Sequence, residues 1–135
     1  MNKIFYYFYH QMKTEVVISI GSNRHQVDNL CAARKALEAL LEQPVFTVPV
    51  WTVPIGIVSD NFLNSMVKGL TTLSESELTK ELRLIEHSLG DDGDSHRRGI
   101  VNIDLDILLF GSTRHHPDDW KRPYIKTQLH TLLNM

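Results

Sequence analysis

Residues 101–109 constrain the fold most, because apolar and polar side chains alternate along them. Alternation with a period of two residues is typical of a β-strand that is buried on one face. Asp104 and Asp106 therefore share a face, with Cα atoms roughly 6.5–7 Å apart. Leu108 and Phe110 are predicted to continue that face. The apolar side chains predicted to point the other way, toward helices, are Val101, Ile103, Leu105, Ile107 and Leu109.

The paired carboxylates of Asp104 and Asp106 predict a magnesium site. Two carboxylates held this close repel each other unless a cation lies between them. Hard oxygen ligands suit Mg²⁺, which keeps several waters and is completed by substrate phosphates. The alternative is a solvated polar face of a half-exposed strand, because an Asp-x-Asp pattern alone is common.

The surrounding segments predict the element order β-α-β-β-α-β. Alternating or β-branched runs predict strands, and apolar residues at helical spacing predict helices. The second helix is predicted to begin at a capping box formed by Ser74 and Glu77 and to end at Gly90. The predicted elements are a strand at 16–20, a helix at 27–42, strands at 45–53 and 62–71, the capped helix, and the strand at 101–109.

This order predicts an α+β fold of the ferredoxin-like βαββαβ kind, in which an antiparallel sheet carries helices on one face. The other face is left open for a ligand. The chain of 135 residues suits one domain. We divide it into an N-terminal extension of uncertain role at 1–14, a core at 15–111 and a C-terminal segment at 112–135.

Composition argues against several classes of function. The formal net charge of -2 argues against a dedicated nucleic-acid binder. No apolar run approaches the ~20 residues of a membrane span. The single cysteine, Cys31, has no internal disulfide partner and is predicted to be a small core residue. These features favour a cytoplasmic protein and leave the oligomeric state open.

Further side chains are candidates for ligand contacts. Asn64 shares a strand face with Phe62, and it is either a satisfied core amide or a group that reads a polar heterocycle through both ends of its amide. Arg97 and Arg98 are either a phosphate clamp or part of a solvated loop. Residues 21–23, Gly-Ser-Asn, are either a phosphate cradle or, as we favour, an ordinary turn.

Together these motifs resemble 6-hydroxymethyl-7,8-dihydropterin pyrophosphokinases, which are enzymes of the folate pathway. The resemblance spans roughly residues 15–111, and its most specific part is the acidic strand through Gly111. The segments that carry it are Ile20–Asn23, Pro54–Gly56, Asp60–Asn64, Ile85–Glu86 and Ile103–Gly111.

The resemblance implies that the terminal pyrophosphate of ATP is transferred to the hydroxymethyl oxygen of the pterin, leaving AMP. It implies that Asp104 and Asp106 bind two Mg²⁺ ions and that Asn64 reads the pterin ring. Four residues are implied near the same pterin pocket: Thr52, Pro54, Ile55 and Phe62. Glu86 and Ile107 are implied on the nucleotide side.

The sequence departs from the family pattern on the ATP side. Where the family has Arg-Trp-Gly-Pro-Arg before the acidic strand, this chain has Arg97-Arg98-Gly99-Ile100-Val101, so an expected arginine is missing. Residues 91–94 are acidic where the family has another arginine. The nearest match to a nucleotide-binding Pro-His pair is Pro123-Tyr124, and the segment after residue 111 is shorter than is typical. Replacement cations are predicted among Arg97, Arg98, Lys121 and Arg122.

These departures keep two alternatives open beside a working pyrophosphokinase. One is a non-catalytic family member that binds a pterin or a nucleotide without turnover. The other is a ferredoxin-like interaction module that uses its aromatic N-terminus as a partner surface.

Overall fold

A computed structural model describes residues 2–5, 12–56 and 59–134. Most of the aromatic stretch of the predicted N-terminal extension, residues 6–11, lies outside the described residues. The strands that the structure describes form one sheet. They are β1 (Thr14–Ser22), β2 (Glu42–Phe46), β3 (Val50–Thr52), β4 (Phe62–Thr71), β5 (Asp104–Phe110) and β6 (Thr113–Arg114).

The sheet has the strand order β2-β4-β1-β5-β6, and β3 pairs with β4 on the same edge as β2. Every pairing is antiparallel. Since β2 and β3 together form the second strand of the motif, this is the strand order of a split βαβ fold. The predicted ferredoxin-like α+β fold class is confirmed.

Two helices pack on one face of the sheet, α1 (Gln26–Leu40) and α2 (Glu75–Ser88). The predicted capping box begins α2: Ser74 accepts from the backbone of Glu77, whose side chain accepts from Ser74. Gly90 adopts a φ of 82° just after the helix, a left-handed conformation that glycine adopts at little cost. The main core between helices and sheet contains Ile18, Leu37, Leu78, Leu82, Leu105 and Ile107.

The predicted strand at 45–53 is divided into β2 and β3 around Pro49. Proline has no N–H to donate to a ladder and is confined to strand edges or breaks. Both short strands pair with β4, and neither pairs with another strand that the structure describes.

The segment at 112–135 forms a helix, α4 (Pro123–Leu133), which packs on the face of the sheet opposite α1 and α2. Its Ile125, Leu129 and Leu132 bury against Val17, Met66 and Leu108. The face predicted to be open is therefore half covered, and only the part near the aspartates stays accessible.

Details of strand bounds, side-chain faces and burial differ from the sequence prediction. The strand begins at Asp104 rather than Val101, because Asn102 hydrogen-bonds to Asp91 and Leu89 instead of a strand neighbour. A bulge between β1 and β5 places Leu109 with the α4 cluster, and Phe110 packs against the main core, which exchanges their predicted faces. Cys31 is exposed on α1 rather than buried.

Within the described ranges, no helix is both long and apolar enough to span a bilayer.

Candidate functional site

The open part of the sheet forms a cleft of about 290 Å³ beside the N-terminus of α4. Its floor is β1, β4 and β5, and its rim is the segment after β3. The residues predicted to bind metal, pterin or nucleotide line it in part, and the predicted replacement cation Arg122 lines it as well. The predicted binding residues that line it are Asp104, Asp106, Thr52, Pro54, Ile55, Phe62, Asn64 and Tyr124.

The strand register places the two kinds of predicted site on either side of one glycine. Gly21 pairs with Asn64 across the β1–β4 ladder and with Asp104 across the β1–β5 ladder. Paired residues point to the same face, and adjacent strands lie about 4.8 Å apart, so Asn64 and Asp104 are separated by roughly 10 Å across the cleft. A ligand of a few rings or phosphates spans that distance.

The amide of Asn64 is held in one orientation. Its Nδ2 donates to Thr52 Oγ1 at 2.6 Å, and its Oδ1 lies 3.2 Å from the position that a Cβ on Gly21 would take. The side chain is almost fully buried, with 7% of the residue exposed. Thr52 uses one N–H of the amide and so fixes which way the amide faces, with its oxygen available to accept from a ligand in the cleft.

Asp104 and Asp106 lie half-buried on β5 and both line the cleft. Burial, followed by the charge of Asp106, raises the pKa of the Asp104 carboxyl to about 8. Both effects oppose a second negative charge in a site of low polarity, and a divalent cation would reverse them. The donor set therefore fits Mg²⁺.

No group of three or more His, Cys, Asp or Glu side chains in the described residues is arranged to hold a metal by itself. A cation at Asp104 and Asp106 would need further oxygens from waters or from a bound phosphate. Mg²⁺ is commonly bound in this way, through one or two carboxylates plus substrate phosphates.

Arg83 is a candidate site residue that the sequence analysis missed. It lies on α2, where it pairs with Glu86 and donates from Nη2 to the Leu105 carbonyl at 3.0 Å. The same Nη2 lies 3.6 Å from Asp106 Oδ1. Partial burial opposes the charged form, but Glu86, Asp106 and Asp104 outweigh it and raise the pKa of Arg83. The three-residue spacing to Glu86 on a predicted helix was the available signal.

Glu86 is buried, and both of its carboxylate oxygens have partners within the described chain. Oε1 pairs with Arg83, and Oε2 accepts from the Leu105 N–H at 2.8 Å. Ile107 faces the main core and is 6% exposed. Neither residue lines the cleft, and their predicted contacts with a nucleotide stay predictions.

Arg97 and Arg98 do not line the cleft either. They lie in and after a short helix, α3 (Gly93–Arg97), with mostly exposed side chains. Both interact with Asp94, at 3.2 Å for Arg97 Nη2 and 3.9 Å for Arg98 Nε. Their role as phosphate ligands stays a prediction. Arg122, by contrast, lines the cleft and pairs with Asp119.

Asp91 and Asp92, which precede β5, use their carboxylates for hydrogen bonds within the chain. Asp91 is buried and accepts from the Asn102 N–H, and it pairs with His96 at 2.5 Å. Asp92 caps α3 by accepting from the Ser95 N–H, and this hydrogen bond lowers the pKa of Asp92. These carboxylates are thus engaged in building the loop at 91–101.

Gly21 and Ser22 are the last residues of β1 rather than part of the predicted turn, and Asn23 follows them. Gly21 forms the floor of the cleft. Asn23 is buried, donates from Nδ2 to the Gly99 carbonyl at 2.8 Å and accepts from the Val101 N–H at 2.7 Å. Asn23 thereby fixes the end of the loop at 91–101 to the end of β1.

Fold and site together define a ferredoxin-like domain with a ligand cleft, in which an oriented amide and a carboxylate pair face each other. Residues 17–134 match the family of 7,8-dihydro-6-hydroxymethylpterin-pyrophosphokinase (HPPK). The chain belongs to this family, which confirms the family predicted from the motifs.

Curated relatives are folate synthesis bifunctional proteins. One from Arabidopsis thaliana is 29% identical over 133 residues, covering 88% of this chain and 27% of the relative. The mitochondrial protein of the same plant is 32% identical over 133 residues, covering 88% and 23%. The protein of Chlamydia caviae is 38% identical over 63 residues, covering 47% and 14%. The chain thus spans about a quarter of the length of the two plant proteins.

Proposed function

We propose that this chain transfers the pyrophosphoryl group of ATP to the hydroxymethyl oxygen of 6-hydroxymethyl-7,8-dihydropterin, releasing AMP, in folate biosynthesis. The observation that carries the proposal is the register of Asn64, Gly21 and Asp104. The Asn64 amide, which is proposed to read the heterocycle, and the Asp104 carboxylate, which is proposed to bind the cation, lie at opposite ends of one cleft in a chain that belongs to the HPPK family.

The pterin is proposed to bind at the Asn64 end. Asn64 Oδ1 is directed by the hydrogen bond to Thr52 and accepts from a ring N–H, while Phe62 offers an aromatic surface beside it. Pro54 and Ile55 line the rim of the cleft. Tyr124 also lines the cleft, and its contact with the nucleotide stays a prediction from sequence.

The cation is proposed to bind at Asp104 and Asp106. When bound, Mg²⁺ neutralises phosphate charge and stabilises the charge that develops in phosphoryl-type transfer. Two ions follow from the family resemblance and are part of the proposal. The carboxylates themselves supply fixed oxygen ligands, and because they lie on a buried strand they need little reorganisation.

The sheet contributes by holding the two proposed binding sites at a fixed separation. The strand register fixes the amide end relative to the carboxylate end, so a bound pterin presents its substituent toward Asp104 and Asp106. Transfer of this kind depends more on alignment and charge neutralisation than on a strong base.

ATP as co-substrate, a cytoplasmic location, the absence of a nucleic-acid partner and the division at residues 14 and 111 are likewise proposals.

Calorimetric titration tests the binding part of this proposal. A non-hydrolysable ATP analogue is titrated with and without Mg²⁺, followed by the dihydropterin. The proposal expects analogue binding only with Mg²⁺, and pterin binding that is retained without it. Failure of both ligands to bind the folded protein would overturn the proposal in favour of an interaction module.

A further inference from the structure

No strand in the described part of the chain pairs with the outer edge of β5 at Leu105. The next strand outward, β6, pairs only with Leu109 and Phe110. Unpaired strand edges are costly to leave exposed and are usually covered. Here α2 covers the edge with two side chains: Glu86 Oε2 accepts from the Leu105 N–H at 2.8 Å, and Arg83 Nη2 donates to the Leu105 carbonyl at 3.0 Å.

This arrangement brings the positively charged guanidinium of Arg83 around the edge of the sheet to Asp106. Arg83 lies on the helical side of the sheet, whereas Asp106 points to the cleft on the other side. Because β5 is an edge strand here, the guanidinium reaches past Leu105 and its Nη2 lies 3.6 Å from Asp106 Oδ1. The Arg83 side chain is 48% exposed, so its outer surface is accessible to a ligand.

The guanidinium retains unused donors. It carries five N–H groups, of which one bonds to Glu86 and one to Leu105. The other three have no hydrogen-bond partner within the described part of the chain. Glu86, buried and bonded to Arg83, fixes the plane of the guanidinium, which lowers the entropy lost when a ligand engages the remaining donors.

The local charge shows what kind of ligand these donors suit. When Asp104 is ionised, the carboxylates of Glu86, Asp104 and Asp106 outnumber the single positive charge of Arg83, which leaves a formal excess of two negative charges before a metal binds. An anion therefore binds here only with a metal at the aspartates, and the Arg83 guanidinium lies next to one of them, Asp106. Arginine matches phosphate oxygens with paired N–H groups.

We propose that Arg83 binds the polyphosphate chain of the metal-bound nucleotide and that Glu86 is its positioning residue. The inference rests on the proposed function. Arg83 lies at the outer edge of β5, and Asn64 lies two strands inward, so the nucleotide enters from the α2 edge while the pterin occupies the β3–β4 edge. Arg83 thereby supplies positive charge that the loop at 91–101, whose arginines bond to Asp94, does not bring to the cleft.

The test compares Arg83→Met and Arg83→Lys with Arg34→Met as the matched control. Arg34 is also a half-exposed helical arginine. It pairs with Glu38 four residues away and does not line the cleft. Calorimetry measures the affinities for the Mg²⁺-bound ATP analogue and for the dihydropterin. A separate titration with Mn²⁺ alone measures cation binding at the aspartates.

For Arg83→Met we expect the affinity for the nucleotide analogue to fall by roughly 10- to 100-fold. Pterin affinity stays unchanged, and Mn²⁺ affinity rises because a positive charge next to Asp106 is lost. Arg83→Lys retains the charge without the paired donors, so its affinity for the nucleotide analogue is expected to lie between those of wild type and Arg83→Met. Arg34→Met matches wild type in all three titrations.

Three outcomes would overturn the inference. Equal nucleotide affinity for wild type and Arg83→Met would mean that Arg83 only covers the strand edge. Weaker Mn²⁺ binding together with weaker nucleotide binding would mean that Arg83 only holds Asp106 in place. Equal weakening by Arg34→Met would mean that the effect is not specific. Failure of the wild type to bind the nucleotide would instead overturn the proposed function itself.

Discussion

Asn64 and Asp104 lie opposite the same residue, Gly21, one strand to either side of it. The sheet register alone therefore sets the distance between the amide that we assign to the pterin and the carboxylate that we assign to the cation. Since a register shift of one residue would turn either side chain to the helical face, the spacing of the two sites is built into the core of the fold. The lack of a side chain on Gly21 keeps the path between them open.

Gly21→Ala is expected to weaken pterin binding by roughly tenfold. The new Cβ would lie 3.2 Å from Asn64 Oδ1 and 3.7 Å from the Phe62 ring, so Asn64 must shift. Calorimetry with the dihydropterin measures the loss. Gly93→Ala is the matched control, because a Cβ there meets nothing within 4 Å. Unchanged pterin affinity in Gly21→Ala would show that Asn64 does not read the ring.

Thr52→Val is expected to reduce pterin affinity, also by about tenfold, while leaving nucleotide binding intact. The substitution removes the oxygen that accepts from Asn64 Nδ2 at 2.6 Å and keeps the side-chain volume, so the amide loses its fixed orientation. The control is Thr131→Val on α4, where the hydroxyl is exposed and donates to the Thr127 carbonyl. A parallel loss of nucleotide affinity would argue for general damage to the cleft.

Asp104→Asn is expected to stabilise the metal-free protein at high pH. The folded-state pKa of Asp104, about 8, lies above its ordinary value of 3.8. The stability that protonation contributes is therefore fully present below about pH 4 and is lost as pH rises through about pH 8. Asparagine removes the cost of ionisation, so the unfolding midpoint of the variant falls less between about pH 5 and about pH 9.

Denaturant unfolding in the presence of a metal chelator measures how the unfolding midpoints of wild type and Asp104→Asn depend on pH. Asp118→Asn is the control, because Asp118 is almost fully exposed. Adding Mg²⁺ at high pH is expected to stabilise the wild type and not Asp104→Asn, since the cation replaces the proton. Identical pH profiles for wild type and Asp104→Asn would contradict the assignment of the raised pKa.

Asn23→Ala is expected to reduce the free energy of unfolding by about 2–4 kcal/mol. It leaves the Val101 N–H and the Gly99 carbonyl without the side chain that now bonds to both. Asn29→Ala is the control, because the hydrogen bond from the Asn29 side chain to the Arg24 carbonyl is exposed. Urea unfolding measures both variants, and equal losses would mean that Asn23 does not fix the loop.

The parts of the fold that local chemistry determines were predictable from sequence. The capping box of Ser74 and Glu77, the left-handed Gly90 and the alternation around Asp104 and Asp106 each act within a few residues, and the structure has all of them. The cleft followed from the same alternation, because it fixes which side chains share the face opposite the helices.

Features that depend on contacts between distant segments were not predictable in the same way. The bulge that exchanges the faces of Leu109 and Phe110 arises from pairing with β1. Arg83 becomes a site residue only because its helix lies beside the open edge of β5. The helix α4 did leave a signal, since Ile125, Leu129 and Leu132 have helical spacing after Pro123.

The measurement that tests the central claim most directly is the formation of AMP from ATP, with 6-hydroxymethyl-7,8-dihydropterin present or absent. Chromatography quantifies the AMP. The account predicts AMP only when both the pterin and Mg²⁺ are present, and a fall of at least ~10²-fold in Asp106→Asn. Folded wild-type protein that binds both ligands and releases no AMP, or Asp106→Asn that matches the wild-type rate, would contradict it.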